Sequence, residues 1–218
     1  MRTVGRCIYC GAKDCPLTEE HILAANLGGD ATLLEACCKA CQIEINENVE
    51  APCMQRMFRD IRYKRGIGSR RLNKRPAGLK ASIREGSKDK GSGSPGADVP
   101  IWNDVLLPYD DHPSPLILPC FSPPGIMMEW TPEASSQVPD LYLWLLLNPT
   151  EFVRSNPEHT VRVETTFNNR IFRRLLAKTA HCAAVAAFGV DGFDPYLLDI
   201  ILGKDLYLIN YCTSTHPR

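Results

Sequence analysis

The sequence lacks the features that would place it in a membrane or outside the cell. No positively charged start followed by an apolar run stands at its N-terminus, so we expect no secretory signal peptide. The longest apolar stretch is LYLWLLL at 141–147, and it is far shorter than the roughly 20 residues that a membrane-spanning helix needs. We therefore expect no membrane partner. No internal repeat recurs along the 218 residues, which argues against a repeat architecture.

Net charge is also absent, because 25 Lys and Arg balance 25 Asp and Glu. The balance hides a basic segment, Arg56–Lys90, in which thirteen Lys or Arg stand against three acids. Such a segment suits the phosphate backbone of DNA, the expected partner. A solvated linker with no partner is the alternative. The basic residues predicted to contact DNA lie at the centre of the segment: Arg62, Lys64, Arg65, Arg70 and Arg71.

Cysteine, in contrast, is abundant, with ten residues. Without a secretion signal, paired cysteines indicate metal binding in a reducing cytoplasm, which is the expected localisation. Cys7 and Cys10 form one CxxC pair, and Cys38 and Cys41 form a second one. The two pairs are separated by 27 residues, 11–37. Two such turns complete a tetrahedral site with Zn–S bonds of about 2.3 Å. We predict one structural Zn²⁺; four unrelated buried thiols are the alternative.

The choice between neighbouring cysteines follows from spacing. Cys37 could compete with Cys38, but only Cys38 is separated from Cys41 by the two residues of a CxxC pattern. The first pair is followed by Gly11 and resembles a zinc knuckle, and a helix can begin at the second pair. A knuckle, a hairpin and a helix in this order form the treble-clef arrangement. It lets a short segment fold around a metal without a large core.

Composition divides the chain into three predicted parts. Residues 1–55 form the cysteine-rich module, and residues 56–97 form the basic segment and a flexible linker that ends in SKDKGSGSPGAD. Residues 98–218 are predicted to form a mixed α+β domain of unknown role, in which apolar runs bounded by proline indicate short strands. The stretch 141–147 suits either a buried strand or a core helix. The fold class is therefore α+β.

One strand and one long helix are predicted in the C-terminal part. VRVETTF at 161–167 alternates with the period of a strand. The next stretch has helical periodicity, with Asn168 or Asn169 as its N-cap and Gly189 as its stop. The residues predicted to contribute to the apolar side of this helix are Ile171, Leu175, Ala183 and Val185.

The sequence TEEHILAANLGG, residues 18–29, lies between the two cysteine pairs. A zinc ion held by four thiolates is closed and performs no chemistry, so catalysis would need another site. In a regular strand Glu20 and His21 would point to opposite faces. If the strand bends or ends there, the carboxylate can hold Mg²⁺ while the imidazole takes a proton from water. The alternative is that His21 is a surface histidine and Glu20 an ordinary exposed acid.

CIYCG, TEEHIL, LGG and CKAC followed by a polar helix resemble the HNH endonucleases of the zinc-stapled ββα-metal type. The resemblance covers about residues 7–55. It implies that His21 is the general base that activates water and that Glu20 stands where the family carries its strand-borne metal ligand. The remaining ligands of the catalytic ion would come from the helix after the second cysteine pair.

The sequence departs from the family pattern on that helix. Gln42 stands where the family has His or Asn after the last zinc cysteine. Gln42, Asn46 and Glu50 are four residues apart and share one helical face. Oxygen ligands of this kind suit Mg²⁺ or Mn²⁺. Pro52 is expected to end the helix, and the strand ATLLEAC lacks the middle asparagine that names the family.

These observations predict a metal-dependent HNH endonuclease that hydrolyses DNA phosphodiester bonds. One alternative is a non-catalytic, zinc-stabilised nucleic-acid-binding module in which Gln42 marks a lost metal site. Another is a zinc-stabilised protein–protein adaptor in which the basic segment is only a linker. Whether the chain forms a homo-oligomer stays open at this stage.

Overall fold

The computed structural model shows a mixed α+β protein, which confirms the predicted fold class. Its contacts divide the chain into two compact units. The first comprises Met1–Arg59, Ile117–Leu143 and Phe167–Arg218, and the second comprises Asp60–Leu116 and Trp144–Thr166. The structure describes residues 2–59, 62, 67, 78–84, 102–108, 114–120, 123–131, 133–134, 141–147, 160–163 and 167–204.

A three-stranded sheet opens the first unit. Its strands are β1 (Arg2–Thr3), β2 (Leu17–His21) and β3 (Thr32–Cys38), in the spatial order β1-β3-β2. β3 pairs antiparallel with β2 and parallel with β1. The predicted hairpin between the two cysteine pairs is therefore present, and its connection contains a short 3₁₀ turn, Ala25–Leu27.

The hairpin contains a bulge beside Glu20. Thr18 pairs with Cys37, whereas Glu20 pairs with Leu33, so residues 34–36 of β3 lie opposite Glu19 alone. Glu35 in this bulge has φ 49°, the left-handed conformation that non-glycine residues adopt rarely. Bulges bend a strand pair and redirect side chains. β2 therefore reaches its last two residues with an altered register and ends at His21.

The helix that follows β3 is longer than predicted. It starts as α1 (Lys39–Ile45) and continues through two π-helical segments, Asn46–Glu50 and Cys53–Met57. The expectation that Pro52 ends the helix was wrong, because Pro52 adopts helical angles (φ −60°, ψ −40°). In a π turn each N–H bonds to the carbonyl five residues back, as Ala51 does to Asn46. We attribute the tolerance of proline, which has no N–H, to this wider turn.

The long C-terminal helix, α2 (Asn169–Phe188), has the predicted caps. The Asn168 side chain accepts a hydrogen bond from the Ile171 N–H at 3.1 Å, and Gly189 ends the helix with φ 82°. A short helix, α3 (Leu198–Ile201), follows. Among the described residues, no helix has the length and the apolar character that a bilayer crossing requires.

α2 packs against the cysteine-rich block within the first unit. Their shared core includes Ile8, Val49, Cys53, Leu175, Val185 and Ile200. Two polar contacts join the Cys7–Gly11 turn to α2. Tyr9 Oη lies 3.4 Å from Cys182 Sγ, and His181 Nε2 lies 3.0 Å from the Ile8 carbonyl oxygen. Burial lowers the pKa of His181, so this imidazole belongs to the core.

One of the four residues predicted on the apolar side of α2 lies elsewhere, and the buried stripe contains two residues that were not predicted. Ala183 was expected on the apolar side, but it is exposed. The stripe instead runs through Ile171, Leu175, Lys178, Cys182 and Val185. Successive members are four or three residues apart, which is the spacing of one helical face. A charged residue therefore stands in the middle of this stripe.

The second unit contains an antiparallel sheet of β4 (Gly78–Arg84), β5 (Asn103–Pro108) and β8 (Thr160–Val163), with β4 in the centre. β4 was not predicted, since it falls in the part assigned to the basic segment and linker. β8 covers the start of the predicted strand at 161–167, whose residues 164–166 lie outside the described part.

A separate two-stranded sheet pairs β6 (Ser114–Cys120) with β7 (Leu141–Leu147). The LYLWLLL stretch is therefore a strand rather than a core helix. Its seven residues are close to the mean strand length of about five or six. A short 3₁₀ helix, Gly125–Met128, lies between these strands in the chain.

Replacing Asn168 should weaken α2. Asn168→Ala removes the oxygen that accepts the Ile171 N–H, and losing such a cap typically costs about 1 kcal/mol. We expect urea unfolding of the full chain, followed by circular dichroism, to show this decrease. Asn168→Asp keeps an acceptor and should stay close to wild type. Equal stability of the alanine and aspartate variants would contradict the capping role.

Candidate metal centre and adjacent pocket

The four predicted zinc cysteines lie together. The Sγ atoms of Cys7, Cys10, Cys38 and Cys41 are all within 4.8 Å of one another. Cys10 Sγ is 3.7 Å from Cys38 Sγ. A tetrahedral site with Zn–S bonds of about 2.3 Å places its sulfur atoms about 3.8 Å apart. The cluster could therefore bind a metal ion such as zinc, and the alternative of four unrelated thiols is wrong.

Two local structures bring the four thiols to this point. The first pair lies on a tight turn, in which the Gly11 N–H donates to the Cys7 carbonyl at 2.9 Å and the Cys7 N–H donates to the Ala12 carbonyl at 2.8 Å. Gly11 has φ 76°, a conformation that glycine adopts without strain. The second pair lies at a junction, since Cys38 ends β3 and Cys41 belongs to the first turn of α1.

The surroundings of the cluster shift the pKa values of its thiols in opposite directions. A hydrogen bond from the Cys37 thiol lowers the pKa of Cys7 to about 3, although burial opposes this shift. Burial raises the pKa of Cys41 above its ordinary value. Cys37 itself is fully buried and lies outside the four-thiol cluster. Cys38, as the spacing predicted, is the member of this neighbouring pair that joins the cluster.

A pocket of about 220 Å³ lies beside the end of the hairpin. It is lined by all five residues that were predicted around the catalytic ion: Glu20, His21, Gln42, Asn46 and Glu50. β2 supplies the first two residues, and the helix after β3 supplies the other three. The conflict expected from strand alternation does not arise, because both Glu20 and His21 reach the pocket at the point where β2 ends.

His21 presents an unused nitrogen. The residue is half-buried, and its Nδ1 atom is buried without a hydrogen-bond partner in the part of the chain that the structure describes. Its backbone carbonyl accepts a hydrogen bond from the Lys178 ammonium. The backbone at this position is thus held in place, while one ring nitrogen keeps its capacity to bind or to accept a proton.

Lys178 is the residue of this site that the sequence analysis missed. Its Nζ atom lies 2.6 Å from Glu20 Oε1 and 3.1 Å from Glu50 Oε1, and its side chain is fully buried. Burial by itself would lower the pKa of Lys178, but the charges of Glu20 and Glu50 outweigh this effect and raise it. The available signal was the position of Lys178 on the apolar stripe of α2.

The helical side of the pocket is more exposed. Gln42 is half-buried and its Oε1 atom accepts a hydrogen bond from Lys39 at 3.2 Å, while Asn46 is exposed. Lys39 also lines the pocket. Carboxylate and amide oxygens are the ligands that Mg²⁺ and Mn²⁺ prefer, and an imidazole is compatible with Mn²⁺. Among the described residues, the four cysteines are the His, Cys, Asp or Glu side chains that lie close enough together to hold a metal ion, so a divalent ion at this pocket stays a prediction.

The predicted DNA-contacting residues are mostly beyond what the structure describes. Lys64, Arg65, Arg70 and Arg71 lie outside the described residues. Arg62 is half-buried, and burial lowers its pKa.

Arg84, near the end of the basic segment, is described in the second unit. Its guanidinium carbon lies 5.6 Å from the centre of the Trp102 ring, and that of Arg162 lies 4.1 Å from the same ring. Both distances are within the range of a cation–π interaction. Two guanidinium groups are therefore held against one aromatic ring.

Comparisons of this chain with protein-family models, with curated proteins and with solved structures found no match.

Removing one thiol of the cluster should release the metal and unfold the cysteine-rich block. Structural zinc contributes on the order of 10 kcal/mol to the folding of small modules, so Cys10→Ser should lose zinc on elemental analysis and lose its cooperative thermal transition. Cys53→Ser is the matched control, since Cys53 is fully buried but outside the cluster. Purified wild-type protein without zinc would contradict the assignment, provided that no chelator had been used.

Proposed function

We propose that this protein is a metal-dependent endonuclease of the HNH type, built on a treble-clef module with one structural Zn²⁺ held by Cys7, Cys10, Cys38 and Cys41. The observation that carries this proposal is the pocket at the end of the hairpin. It is lined by His21, whose Nδ1 has no hydrogen-bond partner among the described residues, together with three carboxylates and two amide side chains. The order of turn, hairpin and helix around the four-cysteine cluster supports the treble-clef assignment.

Each of the five predicted site residues has a role in this proposal. His21 takes the proton from the water that attacks phosphorus and is the general base of the proposed reaction. Glu20, Glu50, Gln42 and Asn46 would hold Mg²⁺ or Mn²⁺. When bound, a divalent ion supplies electrostatic stabilisation of the phosphate oxygens and of the leaving 3′ oxygen.

DNA is the proposed substrate because the basic segment would bind a phosphate backbone. Its excess of ten positive charges over residues 56–90 would give affinity that does not depend on base sequence. The arrangement of Arg84 and Arg162 around Trp102 is compatible with this, since guanidinium groups bind phosphate in a fork geometry.

A second candidate is favoured by one observation. The buried Lys178 ammonium already pairs with Glu20 and Glu50, so both carboxylates have a cationic partner without any metal. The protein would then be a non-catalytic, zinc-stabilised module that binds nucleic acid. Cleavage of supercoiled plasmid with Mg²⁺ or Mn²⁺, and its loss with EDTA, separates the two candidates.

Replacing His21 should abolish cleavage. His21→Ala removes the proposed base, and general-base catalysis typically contributes about 10²–10⁴-fold to the rate. The initial rate of plasmid nicking should fall by this factor, while zinc content and DNA affinity stay near those of wild type.

The matched control for this variant is His181→Ala, which removes a buried histidine outside the pocket. It should cost stability, while the folded fraction keeps its cleavage rate. A His21→Ala protein that cleaves as fast as wild type would overturn the assignment of the base.

The basic segment should bind DNA with a strong salt dependence. Each phosphate contact that is lost reduces the slope of log affinity against log salt by about 0.9 for duplex DNA. Alanine at Arg62, Lys64, Arg65, Arg70 and Arg71 together should lower both the affinity and the slope in fluorescence anisotropy. An unchanged slope after all five replacements would contradict DNA binding by the basic segment and support the alternative that it is a linker.

A further inference from the structure

A fully buried lysine on an apolar helical stripe needs an explanation. Lys178 lies between Leu175 and Cys182 on the stripe of α2, whose other members are uncharged side chains. Burying an ammonium is costly unless it is paired, and replacing a buried ion pair by well-packed apolar residues is often neutral or stabilising. Stability alone is therefore a poor reason for a lysine at this position.

The contacts of Lys178 point to the pocket instead. Its ammonium reaches Glu20 at the end of β2, Glu50 in the π-helical segment and the backbone carbonyl of His21. These three residues come from both sides of the pocket and include the proposed base. Lys178 itself has no exposed surface, so it contacts the residues of the pocket from inside the core and does not contact a substrate.

The ammonium also changes the charge beside the pocket, whose other charged lining residues, Glu19 and Lys39, have opposite signs. Two carboxylates would carry two negative charges, and the Lys178 ammonium leaves this trio with one. An ion bound by these carboxylates would be repelled by the ammonium, and such repulsion is stronger in a partly buried site than in water. The same ammonium holds both carboxylates close together when no ion is present.

We infer that Lys178 is a positioning residue that holds Glu20, Glu50 and the end of β2 in place and weakens the binding of a divalent ion at the pocket. This inference rests on the proposed function, because it concerns the same ion. It adds a residue from α2, which lies over a hundred positions along the chain from the hairpin. It also predicts that the ion exchanges readily rather than remaining as a resident cofactor.

The test is a titration of the zinc-loaded, full-length protein with Mn²⁺, in which electron paramagnetic resonance measures the free ion. Lys178→Gln can still donate hydrogen bonds but carries no charge. We expect it to bind Mn²⁺ at least tenfold more tightly than wild type, which corresponds to about 1.4 kcal/mol. Lys178→Arg keeps the charge and should bind within about twofold of wild type.

Arg174→Gln provides a matched control on the same helix. Arg174 is a largely buried cation that pairs with Glu44 at 3.7 Å and donates hydrogen bonds to the Ile201 carbonyl, and it does not line the pocket. Its replacement should lower the melting temperature and leave Mn²⁺ affinity unchanged. A general loosening of α2 would instead change the affinity in both variants.

A second pair of variants covers the case in which Lys178→Gln does not fold. Glu20→Gln and Glu20→Gln/Lys178→Met have the same remaining oxygen ligands and differ in the ammonium, and neither leaves Glu20 as a buried, unpaired charge. The double variant should bind Mn²⁺ at least tenfold more tightly than the single one. Equal affinities, or no binding by either, overturn the inference.

The outcomes also separate this inference from the proposed function. If wild type and Lys178→Gln bind Mn²⁺ equally, the role of Lys178 is wrong while the metal-dependent function stands. If only Lys178→Gln binds, the inference holds and the wild-type chain is the non-catalytic module. If neither folded protein binds Mn²⁺, both proposals are wrong.

Discussion

The buried ion pairs of Lys178 connect the parts of the first unit that matter for function. One ammonium contacts β2 through Glu20 and the His21 carbonyl, and contacts the π-helical segment through Glu50. Because a charged group without exposed surface must be paired, these contacts constrain where α2 can lie on the cysteine-rich block. Leu175 and Val49 belong to the buried core in which α2 packs against this block. The orientation of the pocket therefore depends on a residue from a distant part of the chain.

The cysteine cluster constrains the other side of the same pocket. Because Cys38 and Cys41 cluster with Cys7 and Cys10, the start of α1 lies beside the Cys7–Gly11 turn. The next residue after Cys41 is Gln42, which begins the helical face that lines the pocket. The π-helical segments extend this helix past Pro52, which brings Cys53 and Met54 into the core. A metal bound by the four thiols would hold this helix start in place. The bulge at Glu35 complements it, because it adjusts the register of the hairpin just before β2 ends.

The errors of the sequence analysis have a common physical origin. Pro52 was expected to end a helix because proline lacks an N–H, but a π turn changes which hydrogen bonds the backbone needs. Ala183 was placed on the apolar side because alanine suits either face, whereas the buried position belongs to Cys182. β4 was overlooked because its charged residues obscured its strand character. In each case the local sequence was compatible with more than one structure.

Local interactions determined what the sequence could predict by itself. The CxxC spacing predicted the four-thiol cluster, Asn168 and Gly189 predicted the ends of α2, and the spacing of Gln42, Asn46 and Glu50 predicted a shared face. The caps and the shared face depend on residues close in sequence, and each CxxC pair is also local, while the joining of the two pairs follows from the tetrahedral geometry of a four-thiolate site. The pairing of Lys178 with Glu20 and Glu50 was decided only by tertiary structure. A lysine in a helical pattern carries no sign of its partners, because ion pairing depends on distance in space and on burial, and both arise when α2 packs against the hairpin.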